Sequence, residues 1–177
     1  MLPVIDKLLI LQDRDRQILR LQDELSRIDP ERQQLQAKLA SSQSTLEAGK
    51  HKAKQIESDR KKLELEVEAK KQLIERYSLQ QFQTKKNDEY RALAHEIDTA
   101  RGAIMKLEDQ QLDLMEQSEA AQKQVAAATR TTEEAKGMAD KLLADLLARE
   151  DNLKRELQEL ESNRSELANA VDETVLP

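Results

Sequence analysis

The side chains best suited to chemistry crowd into residues 85–97, KKNDEYRALAHEI. Charge, amide and aromatic stand together there in a chain with almost no aromatics elsewhere, and His95 beside Glu96 could begin a metal site. No such chemistry is completed. No nucleophile stands beside a base, no glycine-rich phosphate loop occurs, and no further acids converge on this stretch. Successive residues on a helix point about 100° apart, so His95 and Glu96 do not face one ion, and His95 reads as a solvated flank residue. The other histidine, His51, stands far off, and the chain has no cysteine, which excludes disulfides and a cysteine-ligated zinc within these residues. A non-enzymatic chain without cofactor is expected. Two further basic groups, KHKAK (50–54) and RKK (60–62), suit phosphate. No aromatic is interleaved for stacking, and the net charge of −6 opposes a general nucleic-acid surface, so nucleic acid is not the expected partner of these residues.

What must position these residues is helical. The chain is 36% charged but only 2% aromatic, with three Gly and three Pro, too few for the turns and core of an ordinary globular domain of its length. Such charge means disorder unless an apolar repeat accompanies it, and here one does. Steps of three and four from Leu11 to Tyr77 visit twenty positions, of which fourteen are apolar; Arg14, Arg32, Ser42, Gly49, Arg60 and Lys70 interrupt. A second stripe, from Tyr90 through Leu93, Ile97, Leu142, Leu146 and Leu153 to Ala170, has eighteen apolar positions in twenty-four. Each reads as one coiled-coil strand.

The two stripes are out of phase. Continued past Tyr77, the first lands on Gln81, Thr84, Asp88, Arg91 and His95, all polar. A stutter absorbs a phase shift, but not five polar seam positions in a row. A turn explains both facts, with Asn87 as N-cap of the returning helix and Asp88 and Glu89 in its first turn, where the helix dipole favours acids. The expected fold is therefore all-α: a long antiparallel two-helix coiled-coil hairpin spanning residues 1–177, with arm one over about 4–78, a tip over 79–87 and arm two over about 88–171. Residue 77 should face about 91, and residue 11 about 157. One continuous helix in a parallel dimer is the alternative architecture. Two thin helices offer no dry pocket for catalysis.

Several irregularities modify this picture. Pro30 removes a helical hydrogen bond, so a kink or short break is expected near residues 28–31, with Asp29 capping the next segment. The alanine-rich residues 120–139 should face roughly residues 30–48 across a seam that buries little area. Residues 50–91 carry twelve Lys and Arg against eight acids, and residues 92–118 two against six, so pairing between the flanks should help to set the register. At the base, Leu9, Ile10 and Leu19 on one arm and Leu143, Leu147 and Leu157 on the other lie outside the narrow stripe. An apolar face wider than two helices need suggests a contact there, either between two copies or with another domain.

The stretch KKNDEYRALAHEI (85–97), followed by LEDQQLDLMEQ (107–117), resembles the signature of bacterial coiled-coil hairpin proteins that carry a C-terminal zinc ribbon of two Cys-x-x-Cys pairs. Lys85, Asn87, Glu89, Tyr90, Ala92, Leu93, Glu96 and Ile97 fall on that family's tip pattern; Lys86 departs from it, standing where threonine is usual. Leu11, Gln12 and Asp15 match the family's opening helix. The resemblance implies a zinc ribbon beyond residue 177, with zinc bound only there, and VDETVLP (171–177) looks like its lead-in. It also implies a protein partner, such as a sigma factor or a component of flagellar or type III secretion machinery, with the coiled coil as adaptor arm. A nucleic-acid-binding regulator acting through the ribbon is the alternative. The opening residues lack a signal peptide's basic start and cleavage site, and no apolar run approaches the ~18 residues of a membrane helix, so a cytoplasmic protein is expected.

The tip has two readings. In the structural one, Tyr90 packs on Leu79, Phe82 or Leu93 while Asn87 caps the helix. In the functional one, Lys85, Lys86, Asn87, Glu89, Tyr90 and Arg91 present a surface to a partner.

Overall fold

The computed structural model describes residues 2–171, with side chains from Val4 onward, so most of the expected lead-in VDETVLP lies outside the described residues. Two α-helices account for nearly all of them: α1, Leu2–Gln83, and α2, Asn87–Asn169, joined by Thr84, Lys85 and Lys86. Contacts pair early residues of α1 with late residues of α2, so the helices are antiparallel, and the fold is a coiled-coil hairpin. The turn is shorter than the stretch 79–87 marked by the sequence, because α1 runs on to Gln83. Neither helix is long and apolar enough to cross a membrane.

The periodicity explains which face is covered. All twenty α1 positions from Leu11 to Tyr77 are buried or half-buried, the six interruptions included. The α2 stripe is likewise covered from Leu93 to Ala139. Helix α1 passes through Pro30 without a break. Asp29 therefore caps nothing; its carboxylate lies 2.8 Å from the Arg32 guanidinium instead.

The residues divide into two compact units. The tip unit, Gln43–Thr131, buries Ile56, Val67, Ile97, Ala100, Ile104 and Ala121. Its seam is narrow. Gly49 stands where an added Cβ would touch Val125 at 3.5 Å, and Ser118 donates a hydrogen bond of 2.7 Å to Glu57. That hydroxyl is the main reason the Glu57 carboxyl lies below its ordinary value; burial opposes it, and Arg60 and Lys61 add to it. The ion pairs of Lys50, Arg60 and Lys62 run to Glu47, Glu57 and Asp59 within α1, and that of Arg101 to Asp98 within α2. The flank pairing expected from the opposite charges of residues 50–91 and 92–118 is replaced in these pairs by partners three residues away, which a helix brings close without crossing to its neighbour.

The base unit, Met1–Ser42 with Thr132–Pro177, buries Leu11, Ile18, Ile28, Ala139, Leu146, Leu153 and Val171. Here the sequence reading needs correction. From Ala139 to Arg164 the covered residues are Leu143, Leu146, Glu150, Leu153, Leu157 and Leu160, whereas Leu142, Arg149, Glu156 and Asn163 are exposed. Two steps of four in succession, 135 to 139 to 143, shift the seam by one residue, which is a stutter. The register moves as well. Asp15 binds Arg164, and Lys7 Nζ donates to the Ala170 carbonyl, so Leu11 faces the neighbourhood of Leu167 rather than residue 157. Thr132 faces Ser42 and Val125 faces Gly49, so the alanine-rich stretch lies further along α1 than expected. The expectation assumed one heptad phase and a turn centred on residue 84; the turn is centred on Lys85, and α2 leaves the heptad phase.

In several places the interruptions meet each other. Ser42 and Thr132 hydroxyls lie 3.0 Å apart, Arg32 pairs with Glu150, and Arg60 lies beside Glu57, which takes the Ser118 bond. A polar seam residue is costly when unpaired, so such matches penalise a slipped register.

Candidate functional site

The turn is built from its hydrogen bonds. Thr84 N–H donates to the Gln80 carbonyl at 3.0 Å and so ends α1. The first bond of α2 runs from Tyr90 N–H to the Lys86 carbonyl at 3.0 Å. Lys86 is therefore the N-cap and Asn87 the first helical residue, which corrects the expectation that Asn87 caps the helix. Capping falls to Thr84 and Glu89. The Thr84 hydroxyl accepts from Lys86 N–H at 3.4 Å and donates to Glu89 Oε2 at 2.8 Å, while Glu89 Oε1 lies 3.3 Å from Lys86 Nζ. Glu89, at the third helical position, thus reaches back as in a capping box, onto a hydroxyl and an ammonium. Across the turn, Gln81 Nε2 donates to the Tyr90 carbonyl at 3.2 Å.

These bonds sort the expected tip residues into two groups. Lys86 and Glu89 close the turn, and Tyr90 takes part through its backbone. Lys85, Asn87 and Arg91 are exposed, and the Tyr90 side chain is half exposed. The tip leaves both of its aromatic side chains in contact with water. Phe82 is 91% exposed and Leu79 60%. Sequence reasoning gave Gln81 and Thr84 no part in closing the turn, and treated Phe82 only as a packing partner of Tyr90. Gln81 and Thr84 continue the first stripe and remain half-buried, whereas Asp88, Arg91 and His95 further along it are exposed, so the polar run does contain the end of the seam.

At the base, Leu9, Ile10, Leu19 and Leu147 are exposed, and Ile5 joins them. Leu143 and Leu157 do not belong to that outer face. They are half-buried on the shifted seam of α2, where they pack with the helix pair itself. His95 and Glu96 are both exposed, and among the described residues no three His, Cys, Asp or Glu side chains cluster as metal ligands would.

Residues 11–177 match the model of the CT398-like coiled-coil hairpin domain. The chain belongs to that family. The 2.12 Å resolution structure of CT398 from Chlamydia trachomatis has the same fold, with a TM-score of 0.85 at 20% identity over 98% of this chain and 73% of that one. At that identity the likeness speaks to fold alone. No curated protein matches the chain.

Proposed function

We propose that this hairpin is a non-enzymatic adaptor that presents its tip to a protein partner. The observation that carries this reading is the division of labour at the turn: Gln81, Thr84, Lys86 and Glu89 close it, which leaves Lys85, Arg91, Asn87 and the Tyr90 ring free to meet another molecule. A coiled-coil hairpin suits such a role, since its turn presents a small surface that the helix pairing does not cover. The resemblance of residues 85–97 to zinc-ribbon hairpin proteins favours regulation or assembly of flagellar or type III secretion machinery, in the cytoplasm, with a sigma factor or secretion component as partner. On that same resemblance zinc belongs to a ribbon beyond these residues, and nucleic-acid binding through such a ribbon is the alternative. The exposed Leu9, Ile10, Leu19 and Leu147 support a base contact between two copies, read out by sedimentation of the purified chain.

The test is the triple substitution Lys85→Ala, Lys86→Ala, Arg91→Ala. Circular dichroism should remain that of the parent, because most of the turn's hydrogen bonds survive, while partners recovered with the parent chain should be lost. Unchanged recovery of every partner removes the tip-surface reading.

A further inference from the structure

Phe82 is the single phenylalanine of the chain, and it contributes nothing to closing the turn. At 91% exposure it lies in water, and Leu79, three residues earlier and therefore on the same face of α1, is 60% exposed. The seam at this level passes through Tyr77 and Gln81, both half-buried, so Leu79 and Phe82 face away from α2. An aromatic and an aliphatic side chain presented together on an outer helix face form an anchor of the kind that dominates interface energetics.

The charge around them is mostly positive, Glu75, one turn before Leu79, being the acid on that face. Arg76 lies three residues before Leu79, and Lys85 three after Phe82; from Arg76 to Asn87 the chain has no acid. Among the described residues neither Arg76, Lys85 nor Arg91 has a carboxylate within ion-pair distance, whereas Lys86 is answered by Glu89. Arg76 is held over the Tyr77 ring, 5.9 Å from its centroid. The complement of this arrangement is apolar in the middle and acidic at the edges.

We propose that Leu79 and Phe82, flanked by Arg76 and Lys85, dock an acidic amphipathic segment of a partner protein, its apolar side chains on Phe82 and its carboxylates on the cations. The proposal rests on the adaptor reading of the tip and names the chemistry of its partner. Tip-to-tip pairing of two copies sets these unanswered cations against each other. A membrane surface calls for a broader apolar face than two side chains. A nucleic-acid strand calls for successive aromatic platforms, and here only Phe82 stands outside the seam on this face.

The test places the photoreactive residue benzoylphenylalanine at position 82 of the full chain in its native cell, with the same residue at the exposed position Leu65 as control. The expected product is a cross-link from position 82, absent from position 65, to a protein segment rich in Asp and Glu with apolar residues at helical spacing. Adding Arg76→Glu and Lys85→Glu should lower its yield at least about tenfold, while circular dichroism stays constant. A cross-link to a second copy, to lipid or to nucleic acid, or a yield no greater than from position 65, overturns the proposal. Phe82→Ala separates it from the broader reading. If that variant keeps a partner that the Lys85, Lys86, Arg91 triple variant loses, the tip is an adaptor surface and the apolar anchor is wrong.

Discussion

In the base unit the helices meet through leucine and isoleucine, and charged groups cross between them: Arg32 to Glu150, Arg164 to Asp15, and Arg149 to Glu24 and Glu31. In the tip unit the seam includes Gly49, Ala53, Ala100, Ala121 and Ala128, and the crossing contact of Glu57 is a hydroxyl, that of Ser118. Bulky apolar residues bury more area and leave a larger void when cut back, whereas small ones let backbones approach and forfeit little. The difference teaches where each kind of function can sit. Crossing charges can hold register in the base unit, whereas the tip unit, which also buries Ile56, Val67, Ile97 and Ile104, mixes small residues into its seam and leaves its turn exposed.

The sharpest way to break this contrast is a pair of core truncations. Ile28, 2% exposed, is the most buried large side chain of the base unit, and Ile28→Ala should cost about 3 kcal/mol. Ala121 is almost as buried in the tip unit, at 4%, yet Ala121→Gly should cost only about 1 kcal/mol, chiefly through helix propensity. Urea unfolding of the two variants measures both. Equal costs mean that the tip unit depends on its seam as strongly as the base does.

How far these seams could be read from the chain follows the same division. Through the tip unit, helix formers keep one phase, and outlying apolar residues such as Leu65, Met105 and Leu112 do not displace it, so Ile56, Val67, Ile97 and Ile104 were placed correctly from spacing alone. In the base unit α2 reads KLLADLLARED, where Leu142 and Leu143 open two phases that both pass through Leu146. Only contact with α1 decides between them. A weak signal was nevertheless present: both stripes share Leu146, Leu153 and Leu160, but where the stripe through Leu142 meets Arg149, Glu156 and Asn163, the stripe through Leu143 meets Glu150, Leu157 and Arg164. The hairpin tip was legible because a phase break needs no knowledge of side-chain geometry. Its cap was not, because Asn87 is a good N-cap by residue type, and the choice of Thr84 with Glu89 depends on where the chain leaves α1. The outward Phe82 was equally hidden; an isolated aromatic near a turn does not show from spacing whether the returning arm covers it.

Gly49 sharpens the contrast from the other side. If small seam residues in the tip unit are simply light packing, a methyl group should be welcome there. The backbone of Gly49 is helical with no positive φ, and an added Cβ would meet Val125 Cγ2 at 3.5 Å, ordinary contact. Gly49→Ala should therefore raise stability by about 1 kcal/mol, from helix propensity and a less flexible unfolded chain. A loss in the same urea titration would show that the helices need the bare backbone at this level, and that the seam is closely fitted rather than lightly built.

The smallest effect separates the two kinds of crossing contact by pH and salt. Glu150 is held below its ordinary carboxylate value by hydrogen bonds from Lys154 first and Arg32 second, with their charges adding to it. Glu57 is held low chiefly by the Ser118 hydroxyl. A depressed carboxyl contributes stability above its unfolded value, near 4.5, and loses it as pH falls from there through the folded value. Glu150→Gln and Glu57→Gln should each flatten the acid limb of stability against pH. They should part company in salt. At about 1 M the screening length falls to about 3 Å, which weakens the ion pairs of Glu150 more than a hydroxyl bond of 2.7 Å. The stability difference between parent and Glu150→Gln should thus shrink with added NaCl, while that for Glu57→Gln should change less. Matching salt dependence would mean that the Arg60 charge within α1, not the Ser118 hydroxyl across the seam, governs Glu57, and the contrast between the two crossing contacts would fail.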